Sequence, residues 1–289
     1  MCGIVSYYNP SGVNASSVEA SLLALSHRGP DGTGAWLSDD TTAALGHARL
    51  SIVDLDTGTQ PLFNEDKSIV AIVNGELYDD ARLRAELEGK GHRFMSQSDS
   101  EILIHLYEEY GTDCLKHLRG EFAFVLYDLK RETFFAGRDR FGIKPLHYHL
   151  GPGGSLSLAS EAKALLAYGI EARWDQYAFL QAATMQYQPQ GRTMFEGILQ
   201  LKPGHYLLAK QGQVQIQRYW DIDFPLEGEE HNAEDLVEQC KEKFENAVKL
   251  RMRSDVPICC HLSGGLDSSA VLGTAVSYTH LRAHETPRH

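Results

Sequence analysis

Apolar positions in the first 220 residues gather into short runs, alternating or continuous, separated by turn residues, and this spacing predicts strands more than long helices. Strands are expected at Ile4 to Tyr8, Ile69 to Val73, Phe122 to Tyr127, Thr133 to Gly137, Leu146 to Leu150 and Leu156 to Ala159. The segment GPGGS at 151 to 155 reads as a hairpin connection, which implies much antiparallel pairing. Helical spacing appears at Val18, Leu22 and Leu25, at Leu83 and Leu87, and at Ile102, Leu103, Leu106 and Tyr110. Helices so placed would cover the sheets, and the class is α+β rather than a regular βαβ repeat.

The pattern changes after residue 220. DIDFPLEGEEHNAED at 221 to 235 is acidic and turn-rich, and a linker is expected over 216–235. A long helix follows at Leu236, Cys240, Phe244, Val248 and Arg251, then the run VPICCHL at 256 to 262, which reads as a buried strand with Cys259 and Cys260 as inert, buried thiols. Ser263, Gly264 and Gly265 then open a helix-like stretch, making a strand, loop, helix unit. After Ala275 the sequence VSYTHLRAHETPRH loses its periodicity, and 276–289 is expected to be a non-native tail, so that His280, His284 and His289 are not a metal cluster. The second domain, 236–275, is expected to be a fragment, because a parallel sheet needs more strands than one.

Composition narrows the class. The chain of 289 residues is 43% hydrophobic and carries a net charge of −12, with no basic run to attract phosphate backbones, so no nucleic-acid partner is expected. No apolar stretch has the length of a bilayer span and the start lacks a signal-peptide pattern; a cytoplasmic protein with no membrane partner is expected. The five cysteines, Cys2, Cys114, Cys240, Cys259 and Cys260, include no C-x-x-C pair, so neither a disulfide framework nor a metal site is expected.

Candidate chemistry begins at Cys2. Removal of Met1 would leave a thiol and a free α-amino group on one residue, with ordinary pKa values of about 8.5 and 7.7 to 8.0, so the amine can serve as the base for the thiol and no catalytic His is needed. A thiolate attacking a carbonyl needs an oxyanion hole, and Asn74 with Gly75, at the end of the run IVAIV, offers a side-chain amide and a backbone N–H; the competing reading is an ordinary Asn-Gly hairpin turn. An amino-acid substrate also needs a cation for its carboxylate and an anion for its ammonium. Arg49 in HARLSIVD and Asp99 in Ser98-Asp99-Ser100-Glu101 fit those roles, although Asp99 could belong to a helix capping box and Arg49 could be a surface strand residue.

MCGIV at the start, HRGPDG at 27 to 32, RLSIVD at 49 to 54, NGELYD at 74 to 79, SDSE at 98 to 101, GRDRFGIKPLHY at 137 to 148 and SEAKAL at 160 to 165 together resemble the class II glutamine amidotransferase domain, more narrowly the one fused to glutamine-dependent asparagine synthetase. The resemblance covers residues 1 to about 274. It implies an N-terminal-nucleophile hydrolase fold, a four-layer αββα sandwich, over 1–215. It also implies Cys2 as nucleophile, Asn74 and Gly75 as oxyanion hole, Arg49 on the glutamine carboxylate, Glu76 and Asp99 on its amino group, and backbone from Leu50, Ser51, Ile52 and Val53 lining the pocket. Ser6, Asp79 and Ser100 depart from the residues usual there, and Ser6 would alter packing behind the nucleophile.

Leu262, Ser263, Gly264, Gly265, Leu266, Asp267, Ser268 and Ser269 lack the Lys of a Walker loop but suit a polyphosphate anion at a helix N-terminus. This stretch resembles the pyrophosphate loop of ATP pyrophosphatases, a PP-loop domain start. The resemblance implies glutamine, aspartate and ATP as substrates, Mg²⁺ bridging the phosphates, an aspartyl-adenylate attacked by ammonia, and a homodimer. The family's aspartate-binding segments are expected beyond residue 289, so this polypeptide is expected not to make asparagine alone. The alternatives are a class II amidotransferase with a different acceptor acid and a non-catalytic relative of the fold.

Overall fold

The computed structural model describes residues 1–224 and 232–278. In chain order the elements are β1 (Gly3–Tyr8), α1 (Ala15–Ala24), β2 (Gly32–Leu37), β3 (Ala43–Arg49), β4 (Leu62–Phe63), β5 (Ile69–Leu77), α2 (Asp80–Gly89), α3 (Ile102–Tyr110), α4 (Cys114–His117), β6 (Gly120–Asp128), β7 (Thr133–Arg138), β8 (His147–Leu150), β9 (Leu156–Ala159), α5 (Ala162–Tyr168), α6 (Gln176–Met185), β10 (Ile198–Gln200), β11 (His205–Lys210), β12 (Gln213–Arg218), α7 (Ala233–Leu250) and α8 (Leu266–Tyr278). The chain divides into two compact units, Met1–Ile222 and Asp223–His289.

Two six-stranded antiparallel sheets make the first unit, in the orders β10-β8-β9-β1-β3-β2 and β12-β11-β7-β6-β5-β4. Period-two alternation sends each strand's side chains to two different apolar layers. Ile4 of β1, Leu45 of β3, Val70 and Ile72 of β5, and Ala123 and Val125 of β6 meet between the sheets. On the far side of the second sheet, Ala71 and Val73 of β5 and Phe122, Phe124 and Leu126 of β6 pack against α2, α3 and α4 through Leu83, Leu87, Leu103 and Leu115. Val5 and Tyr7 of β1 and Ala44 and Ala48 of β3 pack outward against α1 and α5 through Val18, Leu22 and Leu165. The order is helices, sheet, sheet, helices, and burial on both faces explains why IVAIV and FAFVLY read as continuous apolar runs. Each large side chain so buried contributes about 1.5–3 kcal/mol relative to exposure.

Six strands were not legible as such: β2 (GTGAWL) and β12 (QVQIQR) are largely exposed sheet edges, and the others are short or weakly alternating. Asn74 and Gly75 sit neither at a strand end nor in a hairpin turn. The ladder continues through them, Asn74 opposite Ala123 and Gly75 opposite Phe122, as far as Leu77. A Cβ on Gly75 would come within 2.0 Å of the Glu121 carbonyl oxygen, so the close approach of β6 explains the glycine there.

The second unit differs from expectation. Residues 256–262 form no strand, Cys259 is exposed and Cys260 half-buried, and Leu262 is 58% exposed. Among the described residues no strand pairs with this run, and a run without a partner ladder does not hold strand geometry; Val256 N–H donates to Ser254 Oγ at 3.1 Å instead. β12 reaches Arg218 and α7 begins at Ala233, so both ends of the expected 216–235 linker are folded. Residues 225–231 of that linker and 279–289 of the expected tail, with His280, His284 and His289, lie outside the described residues. No described helix is long and apolar enough to cross a membrane.

Candidate active site

Cys2 precedes β1 and is fixed through its own backbone. Arg28 Nε donates to the Cys2 carbonyl at 2.8 Å, while Arg28 Nη1 donates to Glu161 Oε1 at 2.8 Å, tying the residue to the start of α5. Three attractive partners, Arg28, His27 and Lys163, hold the Glu161 carboxyl at about 2 although burial opposes its charge. Ser160 holds the chain two residues on: its hydroxyl accepts from Ile4 N–H at 2.9 Å and its N–H donates to the Ile4 carbonyl at 2.9 Å.

The thiol faces the loop after β3. Leu50 N–H donates to Cys2 Sγ at 3.4 Å. Burial raises the thiol's pKa, against the lowering effect of that N–H, the nearby N-terminal amine, Arg49 and Lys144. The amine, here still on Met1, is itself lowered, chiefly by burial and also by Arg28 and Lys144. Burial thus disfavours the charged form of both groups, the thiolate and the ammonium.

Cys2 opens onto a cleft of about 560 Å³, mouth included, shared by Arg49, Leu50, Ile52, Val53, Asn74, Gly75, Glu76 and Asp99. The structure thus brings together every expected pocket residue but one. Ser51 is absent from the lining; its N–H donates to the Asp31 carboxylate at 2.7 Å. Asn74 is 1% exposed, and neither its amide nitrogen nor its amide oxygen has a hydrogen-bond partner within the protein. A buried primary amide left in that state costs about 1–3 kcal/mol, so its presence beside Cys2 points to a ligand that completes it.

Arg49 is no loose surface residue: its guanidinium donates to the carbonyls of Asp54 and Leu55, which aims it along the pocket wall. Asp99 lies in a turn where Ser98, not Asp99, takes the capping role by accepting from Ser100 N–H. Asp99 Oδ2 instead accepts from Leu77 N–H at 2.5 Å, which fixes the acid against the end of β5 next to Glu76.

Several positioning groups escaped the reading of single residues. His47 is buried with Nε2 3.2 Å from the Val73 carbonyl, and burial pushes its pKa down to about 4. Gln60 pairs with Val73 in both directions, accepting from its N–H at 2.6 Å and donating to its carbonyl at 3.2 Å, and so braces β5 one residue before Asn74. Lys144 reaches the cleft and bonds Glu121 at 3.1 Å. Its loop hangs on the Asp139 carboxylate, which accepts from the N–H groups of Phe141, Ile143 and Lys144. Arg28, Lys144 and Glu161 stand inside the sequence blocks HRGPDG, GRDRFGIKPLHY and SEAKAL; Gln60 stands in none, and no local signal marks it.

In the second unit the expected anion loop folds on itself. Ser263 Oγ and Ser268 Oγ are 3.0 Å apart, Ser269 Oγ donates to the Gly265 carbonyl at 2.8 Å, and Gly264 has a φ of +83° ahead of the exposed start of α8.

Comparison with known proteins follows the same division. A family model described as glutamine amidotransferase domain matches residues 1–220, and one described as asparagine synthase matches residues 239–286. Relatives include Amidase chry2 of Gibberella zeae, 40% identical over 94% of this chain and 42% of its own length. Asparagine synthetase [glutamine-hydrolyzing] 3 of Bacillus subtilis is 38% identical over 96% and 46%, and asparagine synthetase B of Escherichia coli is 36% identical over 100% and 47%. The chain spans somewhat under half the length of these relatives. Among solved structures, glutamine phosphoribosylpyrophosphate amidotransferase from Bacillus subtilis matches at a TM-score of 0.56 and 20% identity, over 76% of this chain and 49% of that one, a likeness of fold. With two stacked antiparallel sheets flanked by helices and a family match over three quarters of its length, the chain belongs to the glutamine amidotransferase domain family.

Proposed function

We propose that the first unit, Met1–Ile222, hydrolyses the side-chain amide of glutamine with Cys2 as nucleophile. The observation that carries this reading is the unpartnered, buried amide of Asn74 in the same cleft as the Cys2 thiol. Once Met1 is removed, the Cys2 α-amine takes the thiol proton and Sγ attacks the amide carbon. The oxyanion that forms is met by Asn74 Nδ2 and Gly75 N–H. The protonated amine returns its proton to the leaving nitrogen, ammonia departs, and water then cleaves the thioester to give glutamate. Arg49 receives the substrate carboxylate, Glu76 and Asp99 its ammonium, and Leu50 to Val53 the backbone contacts, with Ser51 acting through its place in that loop.

The released ammonia, on this reading, is delivered to an acid activated by ATP in the segment that matches asparagine synthase. The loop Leu262–Ser269 suits the pyrophosphate of ATP: Gly264 turns the backbone, α8 supplies its N-terminus, and Asp267, in the first turn of α8, would offer a carboxylate to a Mg²⁺ ion that offsets the phosphate charge. Aspartate, giving asparagine, is the acceptor we favour from the Bacillus and Escherichia relatives. A second acceptor acid is favoured by one observation, that the 40% identical Gibberella relative is named an amidase rather than an asparagine synthetase.

A glutamine-analogue electrophile should label Cys2, and Cys2→Ala should abolish both labelling and ammonia release. Intact-mass measurement supplies the stricter test, because Met1 still attached to the active protein would remove the proposed base and overturn the mechanism.

A further inference from the structure

Away from the cleft, Glu65, His92, His105 and Glu108 each place one ligand atom within 4.8 Å of the other three. They come from three segments distant in sequence: the turn joining β4 to β5, the chain just past α2, and α3. The two imidazoles are arranged alike. His105 Nδ1 is 2.8 Å from Glu108 Oε2, and His92 Nδ1 is 3.5 Å from that same oxygen and 3.9 Å from Glu65 Oε1. Both rings point the opposite nitrogen outward at a further carboxylate, His92 Nε2 to Glu109 at 3.1 Å and His105 Nε2 to Glu101 at 3.6 Å. His105 is fully buried, and its Nε2 lacks a hydrogen bond of good geometry.

We propose that Glu65, His92, His105 and Glu108 form a structural site for one divalent transition-metal ion, Zn²⁺ above all, held by the Nδ1 atoms of both histidines and one oxygen of each glutamate. A tetrahedral Zn²⁺ with bonds of about 2.0–2.1 Å sets its ligand atoms roughly 3.4 Å apart, so the contacts at 2.8, 3.5 and 3.9 Å need changes of up to about 0.6 Å and the widest separation, up to 4.8 Å, closes by as much as about 1.4 Å. Ligating histidines characteristically give their second N–H to a carboxylate, the part that Glu101 and Glu109 play here. Those outer groups are themselves held. Glu101 accepts from Met95 and Ser96 N–H at 2.6 and 2.8 Å, Glu109 lies 3.3 Å from Lys90 Nζ, and the second oxygen of Glu108 accepts from Asn64 Nδ2 at 2.8 Å. A mixed nitrogen and oxygen set suits Zn²⁺ or Co²⁺ better than Mg²⁺ or Ca²⁺, which prefer oxygen alone. One dication also places positive charge among four carboxylates, Glu65, Glu101, Glu108 and Glu109. Bound there, the ion would pin α3 to the β4–β5 turn, and through Glu101 would stiffen the turn that carries Asp99.

The test is titration of the full chain with Zn²⁺, and with Co²⁺ as the coloured probe. Wild type should bind one equivalent more than His92→Gln or Glu65→Gln, both partly exposed positions where folding is expected to survive and far-UV circular dichroism checks it. Glu109→Gln should keep that equivalent and weaken it 10–100-fold. The visible Co²⁺ band lost in His92→Gln should persist in a Cys259→Ser/Cys260→Ser variant, with no thiolate charge-transfer absorption. Equal stoichiometry and affinity in wild type, His92→Gln and Glu65→Gln, or a Co²⁺ spectrum that follows the cysteines, would overturn the proposal.

Discussion

The two units each carry patterned apolar residues, continuous in the strands of one and at helical spacing in the other, and bury them to opposite degrees. In β5 and β6 nearly every apolar side chain is below 10% exposure, on both faces. In α7 and α8, by contrast, Leu236, Val237, Phe244, Leu266 and Val276 are 38% to 86% exposed, and Val248 and Ala275 are the buried apolar residues of the described part. Periodicity therefore specifies an element's type and its apolar face, while burial depends on other elements arriving to cover that face. A helix meets its hydrogen bonds internally and survives alone as a shape; a central strand does not, which is why VPICCHL stays irregular while α7 and α8 form.

Four measurements would break or sharpen that contrast. Phe124→Ala, deep in the layer beneath α3 and stacked edge-on to Phe135 at 5.0 Å, should cost about 3–5 kcal/mol in denaturant unfolding. Asn74→Ala should leave that stability nearly intact and lower kcat for ammonia release by roughly 10²–10³, about 2.7–4 kcal/mol of transition-state binding, which kinetics at saturating glutamine would read. His47 gives a pH effect. Its folded pKa of about 4 lies below the ordinary value, so the unfolded chain takes the proton first as pH falls. Its contribution is therefore whole above about pH 6.5, lost between 6.5 and 4, and amounts to about 3 kcal/mol at most; urea midpoints of wild type and His47→Gln at pH 7 and pH 4 should converge accordingly. Smallest should be Phe244→Ala, within about 0.5 kcal/mol of wild type; a cost like that of Phe124→Ala would mean the second unit has a core that its exposure does not reveal.

Much of the site was legible because its chemistry is concentrated in contiguous blocks: Cys2 in MCGIV, Asn74, Gly75 and Glu76 in NGELYD, Asp99 in SDSE. What stayed hidden works across the fold. Gln60 acts only by meeting Val73 in space, and the Glu65, His92, His105 and Glu108 cluster is spread over 44 residues with no motif spacing, invisible to a search built on cysteines. Some of the strands that escaped notice are exposed edges such as β12, where half of the alternation faces water and the apolar signal fades; β3 is buried but its sequence AALGHAR has only one large apolar residue. The expected strand at 256 to 262 failed for the converse reason, an apolar run whose burial needed neighbours that the run itself does not encode.

The way Cys2 is fastened separates folding from activation. Its carbonyl is held by Arg28, its thiol by Leu50, and Ile4, two residues on, by Ser160, all with Met1 still attached and 55% exposed. Nothing in that grip uses the nitrogen that catalysis would need. On the proposed mechanism, a chain that keeps Met1 folds with its thiol already placed and still lacks the free amine that would serve as base.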